Sequence, residues 1–404
     1  MSFTEADRHG IRPRIPPRWG VIADDLTGAC DCGAAFCQRG FQPAVYCRGA
    51  FPDGPTSEVV VVPTHSRSLS PDVAFQRVRQ TAHQFAERQV EVVYKKIDST
   101  LQGNLGVEIE AALQGLNRSL AVVAPAFPEM GRRLIRGELR LGQQRESTRI
   151  HLPTLLASDS QPAIETIDFQ QVAEGLPTLI GALRAAAQRG SRIAVVDAVD
   201  HSDLAAIGRA CVKLADTVLG VGSAGLAYHL SDDTDSPVAD STDPPPTAPR
   251  AENVVLFIGS TNPVTDRQLQ QLTADGETAF PPADFWSPTE LQRALAAGQH
   301  LVVPVRWRGT QEQAHLAWIL ERVANWKPAG VVLSGGDTAQ RICELASVEQ
   351  IQITREVTRG LPRGLLRGGF LAETPVVTKA GGFGDHRALQ TACRDLCQRR
   401  PAPQ

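Results

Sequence analysis

Short runs of β-branched and apolar residues punctuate the chain, and between them apolar residues return at helical spacing. In the first part these runs cover 19–23, 59–63, 92–95, 120–124 and 193–197; in the second they cover 254–258, 300–305, 330–333 and 375–378. Their apolar positions are consecutive rather than alternating, which is the pattern of strands buried on both faces of a parallel sheet. The segments between them, such as 71–87 and 311–326, read as the helices that cover such sheets. The pattern predicts two α/β domains with mainly parallel sheets.

One stretch breaks this rhythm. Residues 231–251 read SDDTDSPVADSTDPPPTAPRA, with almost no large apolar side chain and with Pro244, Pro245 and Pro246 in succession. Such a segment builds no core, and its prolines favour an extended connection. It divides the chain into an N-terminal domain over 1–230, a linker over 231–251 and a C-terminal domain over 252–404. Residues 1–20 are polar, carry three prolines and lack the apolar core of a signal peptide, so they read as a loose leader.

Composition narrows the class of partner. At 404 residues the chain has room for two cores, and its net charge of −3 offers no broad positive field for nucleic acid or an anionic membrane. No apolar run approaches the roughly 20 residues that span a bilayer, so a cytoplasmic location is expected, with a small molecule as partner and homo-oligomerisation left open. The eight cysteines at 30, 32, 37, 47, 211, 343, 393 and 397 form no CxxC pair and find no matching histidine set. They are expected to be small buried thiols, and no metal-ligand set is expected.

Candidate chemistry clusters just after predicted strands, where open α/β sheets bind ligands. Asp24, Asp25 and Thr27 follow the first strand, and a carboxylate there can accept hydrogen bonds from a polyol or take a proton from its hydroxyl. A helix N-cap is the bland reading of either aspartate. Lys96, Asp98, Ser99, Gln102 and Asn104 follow the strand 92–95, a set of charge, hydroxyl and amide suited to an anionic polyol. Arg132 closes a third turn, PAFPEMGR, at 125–132.

In the C-terminal domain three glycine-bearing turns follow strands: Gly259-Ser260-Thr261-Asn262, Ser334-Gly335-Gly336-Asp337-Thr338 and Lys379-Ala380-Gly381-Gly382-Phe383-Gly384. Glycine lets backbone amides approach phosphate oxygens, and a helix N-terminus adds partial positive charge. No GxxxxGK[ST] motif is present. A literal GxGxxG occupies 220–225, but the helix after it runs straight into the linker, leaving no second strand for a dinucleotide unit. It reads as a tight strand-to-helix packing turn, and a nicotinamide oxidoreductase would rest on it alone.

Taken in order, IADDLTGACD at 22–31, KKIDSTLQGN at 95–104, APAFPEMGR at 124–132, GSAGLA at 222–227, GSTNPVTDRQ at 259–268, SGGDTA at 334–339 and TKAGGFG at 378–384 resemble the motifs of the four-carbon acid sugar kinases. The resemblance implies an N-terminal sugar-acid-binding domain, a C-terminal nucleotide-binding domain, and ATP with Mg²⁺ as cofactors. It places Ser260, Gly335, Gly336, Asp337, Thr338 and Gly381 on the nucleotide, to which the residue reading adds Gly382 and Gly384. It places Asp24, Asp25, Asp98 and Ser99 on the acceptor side; the residue reading makes Asp24 and Asp25 the catalytic carboxylates, with Asp24 expected to activate the hydroxyl. Lys96, Gln102, Asn104 and Arg132 join the acceptor side from their position in the same turns. The implied activity is ATP-dependent phosphorylation of a hydroxyl of a small sugar acid such as threonate, erythronate, an oxo-tetronate or a related acid. The alternative is a regulatory nucleotide-binding protein with a degenerate acceptor pocket. Three departures fall on the acceptor side. Gln102 stands where the family carries arginine, Arg132-Arg133-Leu134-Ile135-Arg136 replaces a threonine-bearing stretch, and an Asp-Pro pair expected within 141–160 is missing. They point to an altered acceptor rather than to lost transfer.

Overall fold

The computed structural model describes residues 17–49, 51, 57–142, 148–157, 163–231, 252–274, 276, 278–281, 286–306 and 309–397. The expected leader, apart from residues 17–20, and the expected linker, apart from Ser231, lie outside them. Residues 19 and 20 belong to the first strand rather than to a leader, and Trp19 is buried.

The first lobe contains β1 (Trp19–Ala23), β2 (Ala44–Tyr46), β3 (Val59–Pro63), β4 (Val92–Lys96), β5 (Leu120–Val123), β6 (Arg132–Ile135), β7 (Glu138–Leu141), β8 (Thr148–His151), β9 (Ile164–Ile167), β10 (Ile193–Val196) and β11 (Val218–Gly222). The second contains β12 (Val254–Ile258), β13 (Thr278–Ala279), β14 (His300–Pro304), β15 (Gly330–Ser334), β16 (Gln350–Glu356), β17 (Pro362–Arg367) and β18 (Pro375–Lys379). Every run predicted as a strand is a strand. The short elements β2, β9, β13 and the antiparallel β6–β8 and β16–β17 were not anticipated.

The two lobes do not carry separate sheets. Among the described residues one sheet runs in the order β13-β14-β12-β15-β18-β17-β16-β2-β3-β1-β4-β11-β5-β10-β9. Its N-terminal part, β2 to β9, is parallel throughout, as is the stretch β13 to β18 that includes β12 and β15. The join is antiparallel: β16 pairs with β2, Ile351 opposite Val45, and Ile353 donates its N–H to the Pro43 carbonyl at 3.0 Å. Strand pairing therefore holds the lobes together as well as side-chain packing does. No helix among the described residues is long and apolar enough to cross a membrane.

Helix Leu26–Cys37 is the element that this join encloses. All its residues are buried, because one side lies on β1 and β3 and the other on β16, β17, β18 and helix Gly336–Leu345. Its composition, LTGACDCGAAFC, is almost entirely small side chains, which lets two lobes close on one helix. A Cβ on Gly33 would stand 3.0 Å from Ile353 of β16.

The GxGxxG segment is a packing turn, as its sequence context implied. Gly220 and Gly222 lie in β11; a Cβ on Gly222 would stand 2.5 Å from the Ala124 carbonyl oxygen and 2.8 Å from the Tyr94 hydroxyl. Backbone fills the space that a dinucleotide would need. Seven of the eight cysteines are buried and Cys397 is partly so, all as free thiols.

Successive residues of β4 point to opposite faces, which separates its two lysines. Lys95 is fully buried and pairs with Glu108 of helix Leu105–Leu116 at 2.8 Å while donating to the Lys96 carbonyl at 2.9 Å. Removing one partner of such a pair strands the other charge in the core. Glu108→Ala is expected to lower the unfolding free energy by about 3–5 kcal/mol, read from chemical denaturation. A loss under about 1 kcal/mol, the scale of an exposed pair, would show that water reaches Lys95.

Candidate active site between the two lobes

The chain reverses its path across the sheet at β1, which leaves a crevice beyond the carboxyl ends of β1, β3 and β4. Asp24 and Asp25 leave β1, Arg67 stands in the loop after β3, and Lys96 to Asn104 leave β4. Arg67 ties these strand ends together. Its guanidinium pairs with Asp24 at 2.7 Å, with Asp25 at 2.9 Å and with Asp98 at 3.5 Å. Asp25 is also the N-cap of helix Leu26–Cys37, accepting from the Gly28 N–H at 2.9 Å and the Thr27 hydroxyl at 2.8 Å. The capping reading of Asp25 is thus realised, in a side chain that also pairs with Arg67.

Burial alone would raise the Asp24 carboxyl, but the charges of Arg67, Lys96 and Lys95 overcome it and hold Asp24 below its ordinary value. Burial likewise opposes the Lys96 ammonium, and Asp24 and Asp25 nonetheless keep it above the usual lysine range. Lys96 Nζ stands beside helix Leu26–Cys37, 2.8 Å from where a Gly28 Cβ would be, and donates to the Ile97 carbonyl at 2.9 Å. Lys96 therefore faces the site, whereas Lys95 faces the core behind it.

The other acceptor-side candidates divide into two groups. Arg132 is buried, donates to the Ser99 hydroxyl and lies 5.3 Å from the Phe383 ring centroid, so this pair does converge. Asp98 accepts from the Thr100 N–H at 2.9 Å and from its hydroxyl, and so shapes the turn. The Asn104 side chain is spent on the loop that carries Arg67, donating to the Ser66 and Leu69 carbonyls at 3.1 and 3.0 Å. It is a support for Arg67 rather than a convergent group. Gln102 is exposed, and its backbone N–H reaches Asp98 at 3.3 Å.

The three glycine-bearing turns meet this crevice from the C-terminal lobe. Gly335, with φ +106°, leads from β15 into helix Gly336–Leu345, whose first turn exposes Asp337 and buries Thr338. A Cβ on Gly336 would collide with Asp25 Oδ2, so the helix N-terminus of one lobe lies directly against the aspartate of the other. A Cβ on Gly381 would collide with the Ser260 hydroxyl, and one on Gly382 would stand 3.4 Å from Asn262 Nδ2, which brings the first and third turns together. Gly384 has φ +82°, a conformation that glycine adopts without strain.

Lys379 and Gln268, which the sequence reading gave no role in the site, shape the third turn. Lys379 Nζ donates to the carbonyls of Ala380 and Gly381 at 3.0 Å each and of Phe383 at 3.4 Å, and to Thr265 Oγ1 at 3.2 Å. Gln268 Nε2 donates to the Phe383 carbonyl at 3.0 Å and the Asp385 carbonyl at 2.7 Å. With the Phe383 N–H donating to the Ala380 carbonyl at 3.0 Å, these bonds hold the turn closed. Phe383 then crosses the lobe boundary to meet Phe127, ring centroids 6.3 Å apart, and Arg132.

A helix N-terminus, two further glycine turns and an opposing bed of carboxylates and cations define a two-lobed phosphotransferase site. Comparison with known proteins gives the same class. A family model described as a sugar-binding N-terminal domain matches residues 19–230, and one described as a nucleotide-binding C-terminal domain matches residues 287–389. The chain is 32% identical to a D-threonate kinase of Bordetella bronchiseptica over 95% of this chain and 98% of that one. It is 27% identical to a D-erythronate kinase of Heliobacterium modesticaldum over 92% and 95%. A solved protein of Salmonella typhimurium LT2 shares the fold with a TM-score of 0.74 at 23% identity, covering 93% of this chain and 99% of that one. This chain belongs to the four-carbon acid sugar kinase family.

Burial pushes the Lys379 ammonium down to about 8. Below that pH the ammonium is charged and donates into the turn; as pH rises through it, the charge and one donor are lost. ATP affinity measured by calorimetry is expected to weaken several-fold from pH 7 to pH 9. In Lys379→Met it is expected to be weaker at every pH and flat across this range. A wild-type affinity that is unchanged up to pH 9 would contradict the role given to this lysine.

Proposed function

We propose that this protein is an ATP-dependent kinase that phosphorylates a hydroxyl of a small sugar acid, a four-carbon acid such as threonate or erythronate, an oxo-tetronate, or a related acid. The observation that carries the reading is the meeting of Asp25 with Gly336, where the anionic bed of one lobe touches the phosphate-type helix start of the other. Phosphoryl transfer needs little covalent help from protein; it needs the two substrates in line and the phosphate charge neutralised. The amides of Gly336 to Thr338, the Ser260 hydroxyl and the turn from Gly381 to Gly384 hold the triphosphate. Lys96, Ser99 and Arg132 hold the acid, with Asp24, Asp25 and Asp98 fixed around Arg67 as the polyol's hydrogen-bond acceptors.

Transfer from ATP brings Mg²⁺, and the donor set fits a hard dication, because Asp25 offers carboxylate oxygens beside the Gly336 turn. When bound, the ion supplies neutralisation of phosphate charge. Asp25 would hold it, and the remaining residues position the substrates around it.

The acid's carboxylate is assigned to Arg132. Strand β6 alternates, so Arg132 and Leu134 are buried while Arg133 is exposed. Of the arginines in this stretch, Arg132 is therefore the one that takes the place left by Gln102. A coupled ADP-release assay with Mg-ATP and a panel of four-carbon and longer sugar acids tests the function; release that is independent of every acid would refute it. Arg132→Ala is expected to raise KM for the preferred acid roughly ten- to a hundredfold, the value of about 1.5–3 kcal/mol for a charge-assisted contact. Arg133→Ala is expected to leave KM within about twofold, the scale of an exposed substitution. Equal effects of the two would overturn the assignment.

A further inference from the structure

The strand ladder that joins the lobes covers only part of their seam. β16 pairs with β2 through Gln350, Ile351 and Gln352, and its last residue, Glu356, lies beyond that ladder. There the seam continues in side chains. Tyr228 of the N-terminal lobe donates its hydroxyl to Glu356 at 2.7 Å, and Gln38 donates its side-chain amide to the same carboxylate at 3.3 Å. The Gly360 N–H also donates to Glu356, at 2.7 Å, which folds the turn after β16 back onto the strand.

Arg359 sits in this turn and reaches across the boundary. Its guanidinium pairs with Glu129 of the N-terminal lobe at 3.3 Å and with Glu356 at 3.3 Å, and lies 3.9 Å from the centroid of the Tyr228 ring. Glu129 belongs to the same turn as Arg132 and also meets His201 Nε2 at 3.5 Å. Gly360, next to Arg359, has φ +79°, and a Cβ on it would collide with the Phe383 ring. Phe383 in turn meets Phe127 and Arg132. The contacts thus close on themselves. They run from the acceptor turn through Glu129 to Arg359, through Gly360 to Phe383 of the third glycine turn, and back to the acceptor turn at Phe127 and Arg132. The ladder and helix Leu26–Cys37 already join the lobes; what this circuit adds is a fixed spacing between the turn that brings Arg132 and the turn assigned to the nucleotide.

We propose that Arg359 is a positioning residue for phosphoryl transfer: by pairing with Glu129 it holds the acceptor turn against the third glycine turn, so that binding of one substrate favours the arrangement the other needs. It acts through Glu129 and Gly360 rather than on a substrate. A misplacement of about 1 Å between reacting groups costs on the order of a hundredfold in rate, so a brace between these two turns matters most when both are occupied. The pair itself is half-exposed, with about a third of the Arg359 side chain open to water. Such pairs add little to global stability, which separates this role from a purely structural one. The role rests on the kinase reading.

The test uses the full-length protein with Arg359→Met, which keeps an unbranched side chain over Tyr228, and with Glu129→Gln from the opposite lobe. Each is expected to lower kcat by about ten- to a hundredfold. Two ligands are followed by calorimetry: the Mg²⁺ complex of the β,γ-imido analogue of ATP, and the sugar acid that wild type phosphorylates fastest. Measured singly, both affinities are expected to stay within about threefold of wild type. Measured together, the analogue is expected to tighten acid binding by about fivefold or more in wild type and by less than about twofold in either variant. The double variant is expected to be no slower than the slower single one, because both substitutions remove one interaction. Melting temperatures are expected to stay within about 3 °C of wild type. Wild-type coupling below about twofold, a variant that keeps wild-type coupling, additive losses in the double variant, or a melting temperature that falls along with the rate overturns the role. A wild type that phosphorylates no acid refutes the kinase function and this role with it, whereas an active wild type with active, coupled variants refutes only the role.

Discussion

The burial of helix Leu26–Cys37 on every side is the constraint on which the rest of the arrangement depends. A helix can be enclosed by two sheets' worth of structure only if its side chains are small enough for both to approach, and eight of the twelve residues of this one are glycine, alanine or cysteine. Its N-cap, Asp25, is thereby carried to the point where the second lobe begins, against Gly336. The antiparallel pairing of β16 with β2 fixes that approach, since a slip of one residue would turn Ile353 away from Gly33 and open the seam. Lobe closure and site assembly are consequently one packing problem.

Enclosure on this scale forces the charges into a balanced network. Asp24, Asp25 and Asp98 share Arg67, while Lys96 and Arg132 answer the remaining negative charge from β4 and β6. Buried ions survive only when paired and hydrogen-bonded, and here the pairing spans three strand ends, so no single loop can shift without stranding a charge. An anionic polyol entering this bed can exchange its own oxygens for those that the network already satisfies. The glycine turns opposite offer backbone amides instead, so the two lobes present opposite polarity to a substrate held between them.

Much of this was legible along the chain. Consecutive apolar residues identified the buried parallel strands, and the polar residues just beyond them identified the crevice, because strand ends in such sheets have little other reason to cluster lysine, aspartate and asparagine. The antiparallel elements were not legible: β16 and β17 mix Gln350, Gln352, Arg355 and Arg363 with apolar residues, since they cover a seam rather than fill a core. Arg67 escaped notice for a related reason. It sits in a loop reading THSRSLS with no motif of its own, and its importance comes from three carboxylates distant in sequence. The roles of Lys379 and Gln268 were not legible because they act on backbone carbonyls, which no residue pattern displays. For Asn104 the type of residue was informative and its target was not, since an amide that can address a hydroxyl can equally hold a loop.

The departures on the acceptor side acquire a physical reading from strand periodicity. Three arginines at 132, 133 and 136 look interchangeable in the sequence, yet β6 buries the first, exposes the second and ends before the third. On the outer face Arg133 stands opposite Arg140, which in turn stands opposite Arg149, so these like charges face solvent and not the crevice. Arg132 is left as the inward cation, braced between Ser99 of the acceptor turn and Phe383 of the third glycine turn. Position 102 lies in an exposed turn, whereas Arg132 is buried beside the third glycine turn. Moving the cation across the pocket changes where an acid's carboxylate can sit relative to the transferring phosphate, and therefore which hydroxyl of a given chain length comes into line. On the proposed placement of the acid's carboxylate at Arg132, acceptor choice follows the direction from which this arginine enters the crevice.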